Sequence, residues 1–231
     1  MRINLRLSTT TTKFHLSGSP YALIVGALAC GLRLTHSHSH PHSHSSLSLS
    51  LPLSLKMKCH EIFGRCSPEL VNEIFSHLLE HEKAVYKATV HNLAGQQKLR
   101  PVFVERKPRQ ERYLWLQQAL SRKAADNLAA QLFQIWLLGA QRDMICGFLD
   151  TLDIPHDGKG VFEDLPAEPS KEALEKAISE LLEKHRNEVV SVYLNVFQAM
   201  DEKGWKTLDA LLESDSRLAL PLKGDGPTPD R

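Results

Sequence analysis

A chain of 231 residues with a formal net charge of +1 and 42% hydrophobic content suits one globular domain with a real core and some residues to spare. That near-neutral balance gives no global reason to expect nucleic acid, a membrane surface or an acidic partner. Four cysteines are too few for a disulfide scaffold of this size, and no stretch approaches the ~20 apolar residues of a membrane-spanning helix.

Residues 1–56 read as a non-globular leader. The run THSHSHPHSHSSLSLSLPLSL at 35–55 is built almost only of His, Ser, Leu and Pro, as translation of a CT-rich microsatellite would give. Met57 is then the natural start and the protein is cytoplasmic. A second reading takes Arg2, Arg6 and Lys13, the apolar run Tyr21–Leu32 and the A-x-A pattern before Cys30 as a secretory signal, which makes the protein secreted or periplasmic. A metal-binding His tract is a third. None of these packs a core.

An all-helical domain is expected over 57–220, followed by a disordered tail at 221–231. Ser67-Pro68-Glu69 opens a helix, with Ser67 as N-cap and Pro68 at the first helical position. Leu70, Val71, Ile74, Phe75, Leu78, Val85 and Tyr86 follow at helical spacing until about Gly95. Val102-Phe103-Val104, bracketed by Pro101 and Pro108, reads either as a short extended piece or as one helical turn. Pro108 opens a helix with Tyr113, Leu116 and Leu120, and residues 122–152 continue helically with a break at Gly139. Residues 153–170 are a long loop rich in Pro, Gly and acid. Helices then carry Leu174–Leu182, Val189–Phe197 and Trp205–Leu212, with Ser170 as a cap and Gly204 as a separator. Sustained apolar/polar alternation is missing, so the fold class is all-α: about six or seven helices in a compact bundle or a short stack of hairpins. Sliding the second half onto the first by about sixty residues sets Leu116 on Ile178, Leu120 on Leu182, Leu132 on Leu194 and Ile135 on Phe197. That register suggests an internal duplication.

Three constellations are candidates for chemistry. His77-Leu78-Leu79-Glu80-His81 puts two histidines one turn apart on a helix, able to share a Zn²⁺, with Glu80 free as general base. This H-x-x-E-H run resembles the zinc site of the inverzincin metallopeptidases, and the resemblance implies a further acidic ligand far downstream and an α/β surround. The match spans these five residues alone, within a chain that reads all-helical. A structural zinc site recruiting Cys59 and Cys66 with His77 and His81 is the other metal candidate, at spacings outside those of zinc fingers. The expectation is no cofactor, with zinc as the alternative.

The second constellation is basic. Lys98, Arg100, Arg106, Lys107, Arg109, Arg112, Arg122 and Lys123 crowd against Glu105, Glu111 and Asp126, with Tyr113 and Trp115 among them. Such a mixture can grip phosphates and stack bases. It can equally meet the acids at 143–175 (Asp143, Asp150, Asp153, Asp157, Glu163, Asp164, Glu168, Glu172 and Glu175), within one chain or between copies. The third is His156-Asp157-Gly158, a tight turn inside the long loop, which fails the ligand pattern of a calcium-binding hand. The reading that follows is a non-enzymatic module that binds another protein or itself, using Arg106, Lys107, Arg109, Arg112, Trp115, His156 and Asp157. A zinc hydrolase and a nucleic-acid accessory protein are the alternatives.

Overall fold

The computed structural model describes residues 56–162, 166–201 and 204–221. The leader at 1–56 therefore lies outside the described residues except for Lys56, and the tail at 221–231 except for Pro221. Among the described residues every regular element is helical, as expected from the missing alternation. They form ten α-helices: α1 Cys59–Arg65, α2 Pro68–His81, α3 Lys83–Gln96, α4 Pro101–Glu105, α5 Arg109–Leu120, α6 Asp126–Ala140, α7 Arg142–Thr151, α8 Lys171–Lys184, α9 Asn187–Met200 and α10 Lys206–Ser214. No helix among the described residues is long and apolar enough to cross a membrane.

Ten exceeds the expected six or seven because α1 and α4 add two short helices and the stretch after Ser67 breaks once. The stretch after Ser67 breaks at Glu82, whose φ of −128° and ψ of 50° leave the helical region. The stretch after Ala125 breaks at Gln141 rather than at Gly139. Glu82 is neither Gly nor Pro, so composition gives no sign of that break, whereas Gly139 stands two residues before the one at Gln141. The domain starts with a helix that periodicity does not mark before Ser67: Cys59, Ile62 and Phe63 of α1 are buried. Val102-Phe103-Val104 takes the helical alternative, as part of α4.

Two helix starts follow from local chemistry as read. The Ser67 hydroxyl accepts the N–H of Leu70, and that of Ser170 accepts the N–H of Ala173, each at 3.2 Å.

Aromatic rings mark two centres of the core. Phe63 of α1 lies 4.7 Å from Phe133 of α6 and 5.9 Å from Phe75 of α2, and Phe75 touches Tyr113 of α5 at 5.2 Å. In the second centre Phe197 of α9 meets Phe148 of α7 at 6.0 Å and Trp205 at 4.8 Å. Helix α9 joins the centres. Val189 to Gln198 are all buried, so this helix is enclosed on every side. Its buried Asn195, Ser191 and Gln198 are paired, while the buried Tyr193 hydroxyl has no partner among the described residues. Asn195 Nδ2 donates to the Ser191 carbonyl at 2.8 Å, and the Ser191 hydroxyl donates to the Leu218 carbonyl. Gln198 receives the Trp205 N–H at 2.9 Å and donates to the Trp205 carbonyl at 2.7 Å, holding the entry to α10.

A carboxylate clasps the start of α9 to the start of α2. Glu188 accepts the Ser67 N–H at 2.6 Å and the Ser67 hydroxyl at 2.8 Å, across 121 residues of chain. A second long-range clasp ties α1 to α6, where Asp126 accepts the His60 backbone N–H at 3.0 Å and faces His60 Nδ1 at 2.7 Å.

Candidate interaction surface

Helix α4 is only five residues long and can turn one side inward. Val104 takes that position and is buried. Val102 and Phe103, about 200° and 100° back around the helix, therefore face out. Leu99 precedes them in the turn after α3, where Lys98 adopts a left-handed φ of 56° and the Leu99 N–H bonds back to the Ala94 carbonyl at 2.8 Å. The exposed large apolar side chains among the described residues are Leu99 (42%), Val102 (40%), Phe103 (58%) and Leu114 (54%). All four fall within residues 99–114, inside the basic stretch. This coincidence is invisible in the sequence, because Leu and Val near helices read as core.

Helix α5 buries Tyr113, Leu116, Ala119 and Leu120, leaving Arg109 and Arg112 on its flank. The Arg109 guanidinium lies 5.4 Å from the Tyr113 ring centre, and its Nε donates to the Tyr113 hydroxyl at 3.2 Å. Arg112 lies 6.0 Å from the Tyr86 ring centre and donates to the Glu105 carbonyl at 2.9 Å, which ties α5 to the end of α4. Burial raises the pKa of the Tyr86 hydroxyl, against the lowering influence of Arg112. Both arginines are thus held by rings and neutral acceptors rather than by carboxylates. Among the described residues only Lys107 of the basic stretch makes an ion pair, with Glu111 at 3.7 Å, while Glu105 pairs with His91 at 3.6 Å. The basic and acidic stretches do not pair with each other there.

Tyr113 is buried and Trp115 packs partly into the core, so neither ring is presented as a free stacking platform. Arg106 is exposed and unattached. His156 and Asp157 lie elsewhere and shape the long loop. Asp157 accepts the N–H groups of Lys159 and Val161 at 2.8 and 3.1 Å, which holds its carboxyl below the usual range. His156 Nδ1 accepts the Gly158 N–H at 3.2 Å, so Nε2 bears the proton facing Asp150 at 3.0 Å. Gly160, at φ 86°, brings the loop against Ile145, which a Cβ would meet at 2.7 Å. The turn read at Asp157-Gly158 is therefore folded back onto α7.

The metal candidates are dispersed. His77 and His81 stack with ring centres 4.7 Å apart, and His77 lies over Gly139 of α6. Burial, then the neighbouring His81, hold the His77 pKa below 6.5. Cys59 and Cys66 are buried thiols: burial pushes Cys59 up to about 12 and Cys66 higher still, and the Cys66 thiol donates to the Ile62 carbonyl at 3.3 Å. Among the described residues no three His, Cys, Asp or Glu side chains converge on a common point suited to a metal ion. The four-ligand set of Cys59, Cys66, His77 and His81 is not brought together.

Comparison with known proteins finds no matching family model, no matching curated protein and no matching solved structure. Among the described residues the chain is all-α, and its exposed large apolar side chains fall within the same short stretch, 99–114, as cations that meet no carboxylate.

Proposed function

We propose that the protein is a non-enzymatic binding module that docks a protein partner, another chain or its own, through the α4–α5 surface. One observation carries this reading. Leu99, Val102, Phe103 and Leu114 expose apolar area that folding leaves in water, amid Arg106, Arg109 and Arg112, which find no carboxylate among the described residues. Apolar side chains at the centre and arginines held by rings are the composition of a contact that binds by burial and selects by charge. The loop that His156 and Asp157 shape offers a second surface on α7.

The proposal extends to architecture and place. A stack of helical hairpins suits such work. The starts of α5, α6 and α7 at 109, 126 and 142 are followed by those of α8, α9 and α10 at 171, 187 and 206. That spacing, close to sixty residues, supports a duplicated three-helix unit. The module would act in the cytoplasm, with Cys59, Cys66 and Cys146 as reduced thiols.

The test is a photo-crosslinking residue placed at Phe103 in the native cell, with adducts identified by mass spectrometry. A discrete protein adduct that Arg109→Glu/Arg112→Glu abolishes is the expected result. Absence of any protein adduct, beside an equally silent control at Lys176 on α8, overturns the reading.

A further inference from the structure

Resting on the binding-surface reading, we infer that the partner is a second copy of this chain, docked head to tail, with α4–α5 of one copy on the acidic face of α7 in the next. The acidic face is built from several elements. Asp143, Cys146 and Asp150 form one stripe along α7 at spacings of three and four, and the folded loop adds Asp157. The three carboxylates crowd one place: each raises the pKa of the Cys146 thiol, behind the larger effect of burial. The Cys146 thiol points at the Gly158 carbonyl at 3.7 Å, which holds the loop beside the stripe.

Shape matches charge here. Gly147 is exposed on α7 beside this stripe, and a Cβ built there meets nothing within 4 Å. The face therefore has a bare stretch of backbone between Asp143 and Asp150. Phe103 is its complement, a ring standing free on a short helix with Arg106 one turn further along. Seating Phe103 over Gly147 brings cations of α4–α5 against carboxylates on both sides.

Two further facts direct the contact. Among the described residues these cations do not pair with these carboxylates: Asp150 faces His156 at 3.0 Å and Asp157 accepts two backbone N–H groups, while Asp143 makes no ion pair and stays open to a neighbour. A symmetric contact of α4 with α4 would set cations against cations, and α7 with α7 would set carboxylates against carboxylates. A contact of α4–α5 with α7 puts opposite charges together; made head to tail it grows into rings or open chains, whereas made reciprocally about a two-fold axis it stops at two.

The experiment is sedimentation velocity on the purified full chain. The wild type is expected to grow beyond a dimer with concentration at ~50 mM salt and to dissociate at ~0.5 M. Phe103→Asp removes one half of the contact and Asp143→Asn/Asp150→Asn the other. All these positions are exposed, and unchanged circular dichroism melts check that the variants fold. Each variant alone should be monomeric, with self-affinity lowered at least about tenfold. An equimolar mixture of the two should form a dimer and nothing larger, since one intact contact remains. A wild type that is monomeric at every concentration or that stops at a dimer, or a mixture that stays monomeric, overturns the inference. A monomeric chain whose position 103 still crosslinks to another protein sinks this inference and leaves the binding-surface reading standing. Loss of the crosslink as well removes both.

Discussion

Replacing Glu188 by Ala should destabilise the domain by about 2–3 kcal/mol, out of proportion to a partly exposed residue on the first turn of a helix. The carboxylate accepts two hydrogen bonds from Ser67, at 2.6 and 2.8 Å. Each bond to a charged acceptor contributes roughly 1.5–3 kcal/mol when buried. The site is only part-buried and both bonds share one carboxylate, so the pair lies near the low end of the sum. Loss of a negative charge beside the α9 N-terminus adds a few tenths of a kcal/mol. The neighbouring tie between the same helices, Arg186–Glu73 at 2.7 Å, does not compensate, because its side chains are about half exposed and such pairs contribute about 0–1 kcal/mol. Urea melts at pH 7 give the difference directly, and a calorimetric midpoint lower by about 5–10 °C should accompany it. Ser67→Ala should cost about 2 kcal/mol, combining the lost α2 cap and the lost bond to Glu188. The double variant should fall short of the sum by about 1 kcal/mol. A loss below ~0.5 kcal/mol in Glu188→Ala, or strict additivity with Ser67→Ala, would refute the clasp.

Gly139→Ala tests how His77 is seated. The new Cβ would stand 2.6 Å from His77 Nε2, so the change should destabilise the wild type yet stabilise a His77→Ala background by up to about 1 kcal/mol; the same sign in both backgrounds would refute the packing. The lowered pKa of His77 has a definite sign: stability is full above the unfolded value of 6.5 and is lost as pH falls through the folded one. The wild type should therefore lose more stability than His77→Gln between pH 7 and about 5 in urea melts, and equal losses would contradict it. Thiol labelling of the native protein should modify Cys146 slowly and leave Cys59 and Cys66 untouched until unfolding, since burial raises both their pKa values and closes access. Rapid labelling of Cys59 by mass spectrometry would refute its place in the core.

The helices were legible where local chemistry writes them. Ser67 and Ser170 cap as their sequence contexts require, and the 3.6-residue spacing of Leu174, Ile178 and Leu181 marks a buried face. The break between α6 and α7 was legible to within two residues, from Gly139, but the one at Glu82 was not: it is set by how α2 and α3 turn to pack, and no local breaker announces it. Helix α1 was missed because seven residues carry too little periodicity, and its burial depends on Phe133, seventy positions away.

The functional surface divides the same way. Its cations were plain from composition, since charge is a property of residue type. Its apolar half was not, because Leu99, Val102 and Phe103 are the residue types that usually fill a core. What exposes them is the length of α4: a helix held between Pro101 and Pro108 is too short to bury more than one side, and Val104 already occupies it. The aromatic residues of the stretch met the opposite fate. Within a mixture able to stack bases, α5 turns Tyr113 inward beneath Arg109, while Trp115 packs partly against the core, as its helical spacing with aliphatics suggests. Tyr113 instead holds Arg109, and Tyr86 of α3 holds Arg112. A guanidinium braced by a buried ring and a neutral acceptor keeps its charge unspent and its position fixed, so it enters a contact with less rotamer entropy to lose than a free surface lysine. This makes Arg109 and Arg112 the cations whose removal should weaken docking most, with Arg122 and Lys123 contributing only at long range.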